Sequence, residues 1–235
     1  GGVSPAPWDS LNLGVGRGDT TENVQENFRR FCAAVGTDPM RVVLSKQVHE
    51  PNVRLVTEAD AGKGLWRERD YKSVDAMICN TLNLPLVVFS ADCGIILLHD
   101  PVHAAVGAVH AGWRGAAQGL VSIALRRMGE AFGTRPADVR AAIGAGIGPC
   151  CFETDEDVPQ AMRVALGAAA EPYIERRGAK WHVDLKGINA HWLRADGVEH
   201  IDVCAHCTAC RPDLYWSHRR MGNARGAQIA MIALR

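Results

Sequence analysis

The stretch LPLVVFSADCGIILLHDPVHAAVGAVHAG, residues 84–112, decides how this chain reads. It contains three apolar runs, LPLVVFSAD, GIILLHD and AAVGAVHAG, each bounded by Pro, Asp, Asn or Gly. Runs of this length without a 3.6-residue period predict strands buried on both faces. VDAMICN, just upstream at 74–80, reads the same way. Downstream, GAAQGLVSIALRRMGEAFG (115–133) has helical periodicity and closes on glycine, so the stretch leads from a sheet into a helix.

Outward from this centre, TTENVQENFRRFCAAVG (20–36) predicts a helix with a Thr cap, acid in its first turn and Gly36 as its stop. RVVLSKQVH (41–49) predicts a strand, and 50–73 is polar and loop-like. VRAAIGAGIG (139–148) reads as a buried strand, DEDVPQAMRVALGAAA and LKGINAHWLRAD as helices, and HIDVC, LYWSHRR and QIAMIAL as closing strands. Strands clustered first and helices interleaved later predict an α/β (layered α+β) fold: a mixed β-sheet core with helices packed on it, not a strict βαβ winding. No linker, low-complexity tract or clear repeat interrupts residues 1–235, and a single domain is expected.

Lys plus Arg and Asp plus Glu number 26 each, so no net field favours nucleic acid or an anionic membrane, and any charge-driven binding must be local. There is no run of 18 apolar residues and no signal-like N-terminus. A soluble, cytoplasmic protein is the expectation. The opening GGVSPAPW lacks a methionine, consistent with a trimmed start that omits an opening strand. The eight cysteines read as reduced thiols, some buried and some metal ligands, because a domain of this size needs no disulfide staples.

Three soft-to-borderline metal ligands stand at the ends of predicted strands: His49, Cys93 and His110. Although 44 and 17 positions apart, side chains at neighbouring strand ends can converge. A His2Cys set suits tetrahedral zinc with an open fourth position, where a bound water has its pKa lowered toward ~7. A second reading makes Cys93 a thiolate nucleophile and His110 its base. CAHCTAC carries Cys204, Cys207 and Cys210 at a spacing that holds zinc or part of an iron–sulfur cluster, with Cys150 or Cys151 as a fourth ligand; a metal-free thiol loop is the other reading.

Arg114 at the mouth of the helix, and Arg219 and Arg220 in SHRR, are candidate catalytic or substrate-binding guanidiniums for phosphate or carboxylate, or else surface ion-pair partners. Gly146 and Gly148 read first as tight backbone packing and second as substrate contacts. Asp75 and Asp92 are candidate acids that orient a ligating histidine, or strand-end caps. RGD at 17–19 is read as coincidence, and His99, His103, His182, His191, His200 and His218 as solvent or packing histidines.

Taken in order, GGVS…SLNLG, QVH, SADC, VHAGWRG, IGAGIGPCCFE, CTAC and SHRR resemble the YfiH-like, or laccase-domain, family across essentially the whole chain. Members of that family have been called multicopper polyphenol oxidases, purine nucleoside phosphorylases and peptidoglycan editing factors. The resemblance implies a CNF/YfiH-like cysteine hydrolase fold and a zinc ion, with copper as the alternative, on His49, Cys93 and His110. It implies phosphorolysis of adenosine, inosine, guanosine and methylthioadenosine, with adenosine deamination, at a site where Cys93, His110 and Arg114 act.

Partners would be small-molecule nucleoside and phosphate, with no nucleic acid or membrane, and the chain a monomer or weak homodimer. The alternatives are a Cys93–His110 amide hydrolase acting on peptidoglycan precursors, a copper-dependent phenol oxidase, and a zinc-stabilised binding module. A multicopper site calls for dense histidine clusters, whereas the nine histidines here are scattered with no H-x-H pair. The chain departs from the family at Phe28, where many members carry an arginine near the site, at Glu50, at ADCGI and at LYWSHRRMG.

Overall fold

Residues 84–112 form the spine of the structure, a computed structural model that describes residues 1–9 and 11–235; Ser10, in the SLNLG stretch, lies outside them. In chain order the first elements are α1 (Thr21–Val35), β1 (Val43–Leu44), β2 (Val53–Leu55), β3 (Ala76–Cys79), β4 (Leu86–Ser90), β5 (Gly94–Asp100) and β6 (Ala105–Ala111). There follow α2 (Trp113–Ala117), α3 (Leu120–Phe132), β7 (Arg140–Ile143), β8 (Glu153–Thr154), α4 (Asp157–Leu166), β9 (Ile174–Arg177) and β10 (Lys180–Val183). The last are α5 (Leu185–Ala195), β11 (His200–Val203), α6 (His218–Met221) and β12 (Gln228–Ile232).

A six-stranded sheet in the order β11-β7-β5-β6-β3-β2 is antiparallel in its middle and parallel at both edges. Its residues alternate between two cores. Ile78, Ile96, Leu98, Val109 and Ile143 pack under α3 and α5, while Met77, Ile95, Val106 and Ala108 meet a second sheet, β1-β4-β12. That second sheet turns Leu86 and Val88 inward and Val87 outward, and α1 covers its outer face with Val24, Phe28 and Cys32. The result is four layers, helix, sheet, sheet, helix. Burial on both sides is why these strands read as continuous apolar runs. A third sheet, β8-β10-β9, packs with α2, α4 and α5 around Ile188 and Met162.

Local signals account for the helix ends. Thr20 Oγ1 accepts the Asn23 N–H at 3.2 Å, and Gly36 closes α1 in the left-handed region at φ 69°. The expected long helix over 115–133 is two helices, because Gly119 takes φ 61° between α2 and α3. No helix is long and apolar enough to cross a membrane among the described residues.

Two predicted strands are corrected. RVVLSKQVH is extended only at Val43–Leu44, and the rest is a loop tied by the Gln47 side chain, which accepts from Phe89 N (2.7 Å) and donates to Phe89 O (2.9 Å). LYWSHRR is a loop ending in α6, with Ser217 Oγ capping it by accepting the Arg220 N–H. Backbone ladder bonds run on only to Ser45 N–Val87 O and the Lys46–Val74 bridge; beyond these, side-chain hydrogen bonds take their place in both segments. The polar 50–73 region, expected to be loop, contains the short edge strand β2.

Phe28, where the family resemblance implied an arginine, is fully buried in one cluster with Leu44 and Val87. Phe28→Ala is expected to lower stability by about 3–5 kcal/mol in urea unfolding; a loss under about 1 kcal/mol would show that α1 does not depend on this contact.

Candidate active site

Strand register brings the site together. The β5–β6 ladder pairs Gly94 with Ala111 and Ile95 with His110, so Cys93, one residue ahead of β5, falls beside Gly112. A Cβ on Gly112 would lie 3.0 Å from Cys93 Sγ and 3.1 Å from the His49 ring, so a larger residue there would press on both side chains. The β3–β6 ladder pairs Ala76 with Val109, which sets Asp75 opposite His110; the His110 N–H donates to Asp75 O at 2.8 Å. His110 follows Val106 and Ala108 on the face toward the second sheet, so the site opens at the rim between the two sheets.

The Asp75 carboxylate, wholly buried, organises the ligands. It accepts backbone N–H groups from Val48 (2.8 Å), His49 (3.0 Å) and Glu50 (3.4 Å), and His110 Nδ1 donates to it at 2.8 Å. A carboxylate only accepts, so the proton sits on Nδ1 and Nε2 is the free ring nitrogen. Burial pushes the Asp75 pKa up, but these donors hold it below the ordinary carboxylate value. Asp75 therefore plays the orienting part that the sequence suggested for it.

His49 sits at φ 66°, in the left-handed region, with Nε2 3.8 Å from Cys93 Sγ. Its ring meets that of His110 edge to face at 5.0 Å. One donor atom from each of His49, Cys93 and His110 lies within 4.8 Å of the others. Burial raises the Cys93 thiol, yet the charge and hydrogen bond of His110 and the hydrogen bond of His49 outweigh it and bring it down to about 6. Burial lowers His110, and Cys93 and Asp75 reverse this, pushing it up to about 9. Without metal both shifts favour a thiolate beside an imidazolium whose second proton sits on Nε2, the position a metal would take.

Two imidazoles and a thiolate form a donor set for zinc, which in catalytic sites takes three protein ligands and leaves one position open. Bonds of about 2.0–2.3 Å in a tetrahedron place donors roughly 3.5 Å apart, close to the 3.8 Å seen between His49 and Cys93. The residues fit a metal ion. Copper also accepts imidazole and thiolate, but this group holds two histidines, not the many of a multicopper cluster.

The three residues line a cleft of about 270 Å³ whose wall carries Arg17, Lys46, Arg69 and Arg225 and, among the described residues, no carboxylate. Burial lowers the Arg69 and Arg225 pKa values, Arg225 also because Arg17 is near, and the opposing pulls of Asp92 and Cys93 on Arg225 do not reverse this. A second hollow of about 350 Å³ shares Arg17, His49, Cys93 and Arg225 and adds Trp113, Ile147, Phe152 and Leu185. A cationic half and an aromatic half thus meet at Cys93.

Several sequence candidates lie elsewhere. Arg114 is exposed and stacks on Trp113 at 4.2 Å, because its position on α2 points it away from the cleft. Gly146 and Gly148 are packing positions: a Cβ would meet Asp92 O at 3.1 Å and Cys207 Cβ at 3.2 Å. Arg219 reaches the second hollow, but its guanidinium already donates to Cys151 O and Glu153 O. Arg220 lies in another hollow, beside Cys150 and Cys151.

Asp92, at φ 93°, orients no histidine. It accepts from Thr208 Oγ1 (2.6 Å) and from Arg219 N (2.6 Å), and so ties CTAC and SHRR to the Cys93 turn. Cys204 stands apart from the other CAHCTAC cysteines: the four thiols that gather are Cys150, Cys151, Cys207 and Cys210. Arg29, over Trp66, and Arg30, paired with Glu26, point elsewhere, as their helical positions imply.

Sequence reading missed Arg17, set aside within RGD, together with Lys46, Arg69, Arg225 and His218. The available signal was an arginine between two glycines. Gly16 and Gly18 take φ 70° and 96° and carry Arg17 into the cleft.

The family model described as multi-copper polyphenol oxidoreductase laccase matches residues 1–235. A purine nucleoside phosphorylase of Streptomyces coelicolor is 40% identical over 223 residues, covering 94% of this chain and 86% of that protein. The purine nucleoside phosphorylase YlmD of Geobacillus stearothermophilus is 34% identical, covering 100% and 87%. The crystal structure of the hypothetical protein YfiH from Bacillus licheniformis superposes with a TM-score of 0.94 at 30% identity, covering 100% of this chain and 90% of that one. With its fold, its His–Cys–His rim and the whole of its length matched, the chain belongs to the laccase-like YfiH family.

Proposed function

We propose that the chain is a zinc-dependent purine nucleoside phosphorylase that also deaminates adenosine. The observation that carries this reading is the cleft itself, four cations without a lining carboxylate among the described residues, joined at Cys93 to an aromatic hollow. Such a cleft suits phosphate, and guanidiniums suit its geometry. Trp113 and Phe152 offer flat faces to a purine. The names of the relatives agree with this substrate pair.

In phosphorolysis a phosphate oxygen forms a bond to C1′ as the C1′–N9 bond breaks, and the electron pair leaves with the base, which takes up a proton. Arg17, Lys46, Arg69 and Arg225 would hold the nucleophile at the shared edge and keep charge balanced as it moves. His49, Cys93 and His110 would hold the metal, which when bound supplies a Lewis acid and lowers the pKa of water. Asp75 keeps the His110 proton on Nδ1 and the His49 loop in place. Deamination of adenosine would replace the C6–N bond with a C6–O bond to water, releasing ammonia. Adenosine, inosine, guanosine and methylthioadenosine differ at C6, C2 or C5′, and each presents the same C1′.

One observation favours a second reading. Asp75, His110 and Cys93 stand in the order of an acid–histidine–nucleophile triad, which suits a metal-free amide hydrolase.

Incubating zinc-loaded protein with adenosine should yield adenine and ribose 1-phosphate only when phosphate is present, and His110→Ala should abolish both, as read by mass spectrometry. Inosine alone would leave a deaminase; neither product above the variant's background would refute the nucleoside reading. Full amidase activity after chelation would establish the hydrolase. Lys46→Gln should raise KM for phosphate about tenfold, equivalent to ~1.4 kcal/mol, with the nucleoside KM little changed; equal effects on both would remove Lys46 from phosphate binding. Asp75→Asn should weaken metal affinity by about 10–100-fold in competition with a chromophoric chelator, and unchanged affinity would show that Asp75 does not set the ligand geometry.

A further inference from the structure

A second group of donors lies outside the cleft. Cys150 and Cys151, on the loop between β7 and β8, meet Cys207 and Cys210, on the loop between β11 and α6. All four Sγ atoms lie within 4.8 Å of one another, with Cys151–Cys210 at 3.4 Å and Cys150–Cys210 at 3.6 Å. We propose that these four cysteines form a closed tetrathiolate zinc site, distinct from the His–Cys–His rim, that staples the two loops supporting the Cys93 turn.

Four bonds of about 2.3 Å to a tetrahedral ion place the sulfurs roughly 3.8 Å apart, close to the separations here. The thiols are too near one another to surround an iron–sulfur cluster with its own sulfides. A disulfide would join two of them and leave two thiols unused in the same small volume.

Of the four sulfurs, Cys207 is the one whose surroundings favour charge. Cys207 is buried, and its Sγ accepts the Gly148 N–H at 3.2 Å. Such N–H···S bonds stabilise charge on sulfur. Four thiolates and one divalent ion carry two net negative charges, and Arg219 and Arg220 line the same hollow, against the single acid Glu153.

All four positions on the ion would be filled by protein, as in structural sites. The staple has a use here, since a lone bridge, Gly146 to Cys207, is the only strand-type pairing between the loops among the described residues. From the cluster, Thr208 Oγ1 donates to Asp92, and the Arg219 guanidinium donates to Cys151 O while its N–H donates to Asp92. Asp92 precedes Cys93, so the order of the loops is passed to the residue that the cleft depends on.

The test is zinc content per full-length chain, by inductively coupled plasma mass spectrometry under reducing conditions. The His49→Ala/His110→Ala variant, which lacks the cleft ligands, is expected to retain one zinc per chain. Wild type is expected to hold one more zinc than Cys207→Ser/Cys210→Ser. Should the serine variant fail to fold, cobalt(II) in the His49→Ala/His110→Ala protein provides the independent readout: intense thiolate charge-transfer and visible bands of a four-sulfur tetrahedral centre. Zinc-free His49→Ala/His110→Ala protein, cobalt spectra without those bands, or an intact mass two daltons light with a disulfide mapped to Cys210 would each overturn the proposal. An inactive wild-type enzyme leaves these readouts unaffected, so failure of the nucleoside reading is told apart from failure of this one.

Discussion

The buried carboxylate of Asp75 is the constraint on which the site depends. Burying an ion is costly unless its lone pairs are filled, and here three backbone N–H groups and an imidazole N–H fill them. The same four bonds join two things that are far apart in the chain, the loop carrying His49 and the strand end carrying His110. Removing the carboxylate would orphan three backbone donors as well as releasing the ring, so the loop and the ligand are coupled through one group.

Asp92 plays a matching part on the other side of Cys93. Both His49 and Asp92 sit at positive φ, a conformation that costs side-chain-bearing residues about 1–3 kcal/mol each and persists only when the surroundings hold it. Asp75 holds the first through its backbone N–H. Thr208, Arg219 and the Ile147 N–H, which bonds Asp92 O, hold the second. Two of the four side-chain-bearing residues at positive φ among the described residues therefore lie on the turns that aim the ligands; the others, Asn83 and Ala104, sit in turns between strands.

Charge is distributed unevenly although the chain is neutral. Several arginines on the outer surface are paired, as Arg41 is with Glu58 and Arg163 with Glu171. Those facing the cleft form no ion pair among the described residues, and Asp92, in the adjoining hollow, is the carboxylate whose charge acts on Arg225. A local field of one sign in a concave, partly buried place concentrates anions there more effectively than net charge could. The cysteine cluster, on the opposite flank of the Asp92 turn, has the complementary character: sulfur donors beside arginines.

The sequence by itself determined the central strands and most helices, because burial on both faces leaves unbroken apolar runs and because caps such as Thr20 and Gly36 are local chemistry. It also nominated His49, Cys93 and His110, since donors at strand ends are visible as residue types. Tertiary structure decided their meeting, for it takes the β5–β6 and β3–β6 registers to bring 93 and 75 to 110, and register is a property of two strands together. It likewise chose Cys150 and Cys151 over Cys204 as companions of Cys207 and Cys210, and drew Arg17, Lys46, Arg69 and Arg225 into one cleft. Exposed loop residues carry no periodicity from which their direction could be read, so their convergence exists only once the layers have packed.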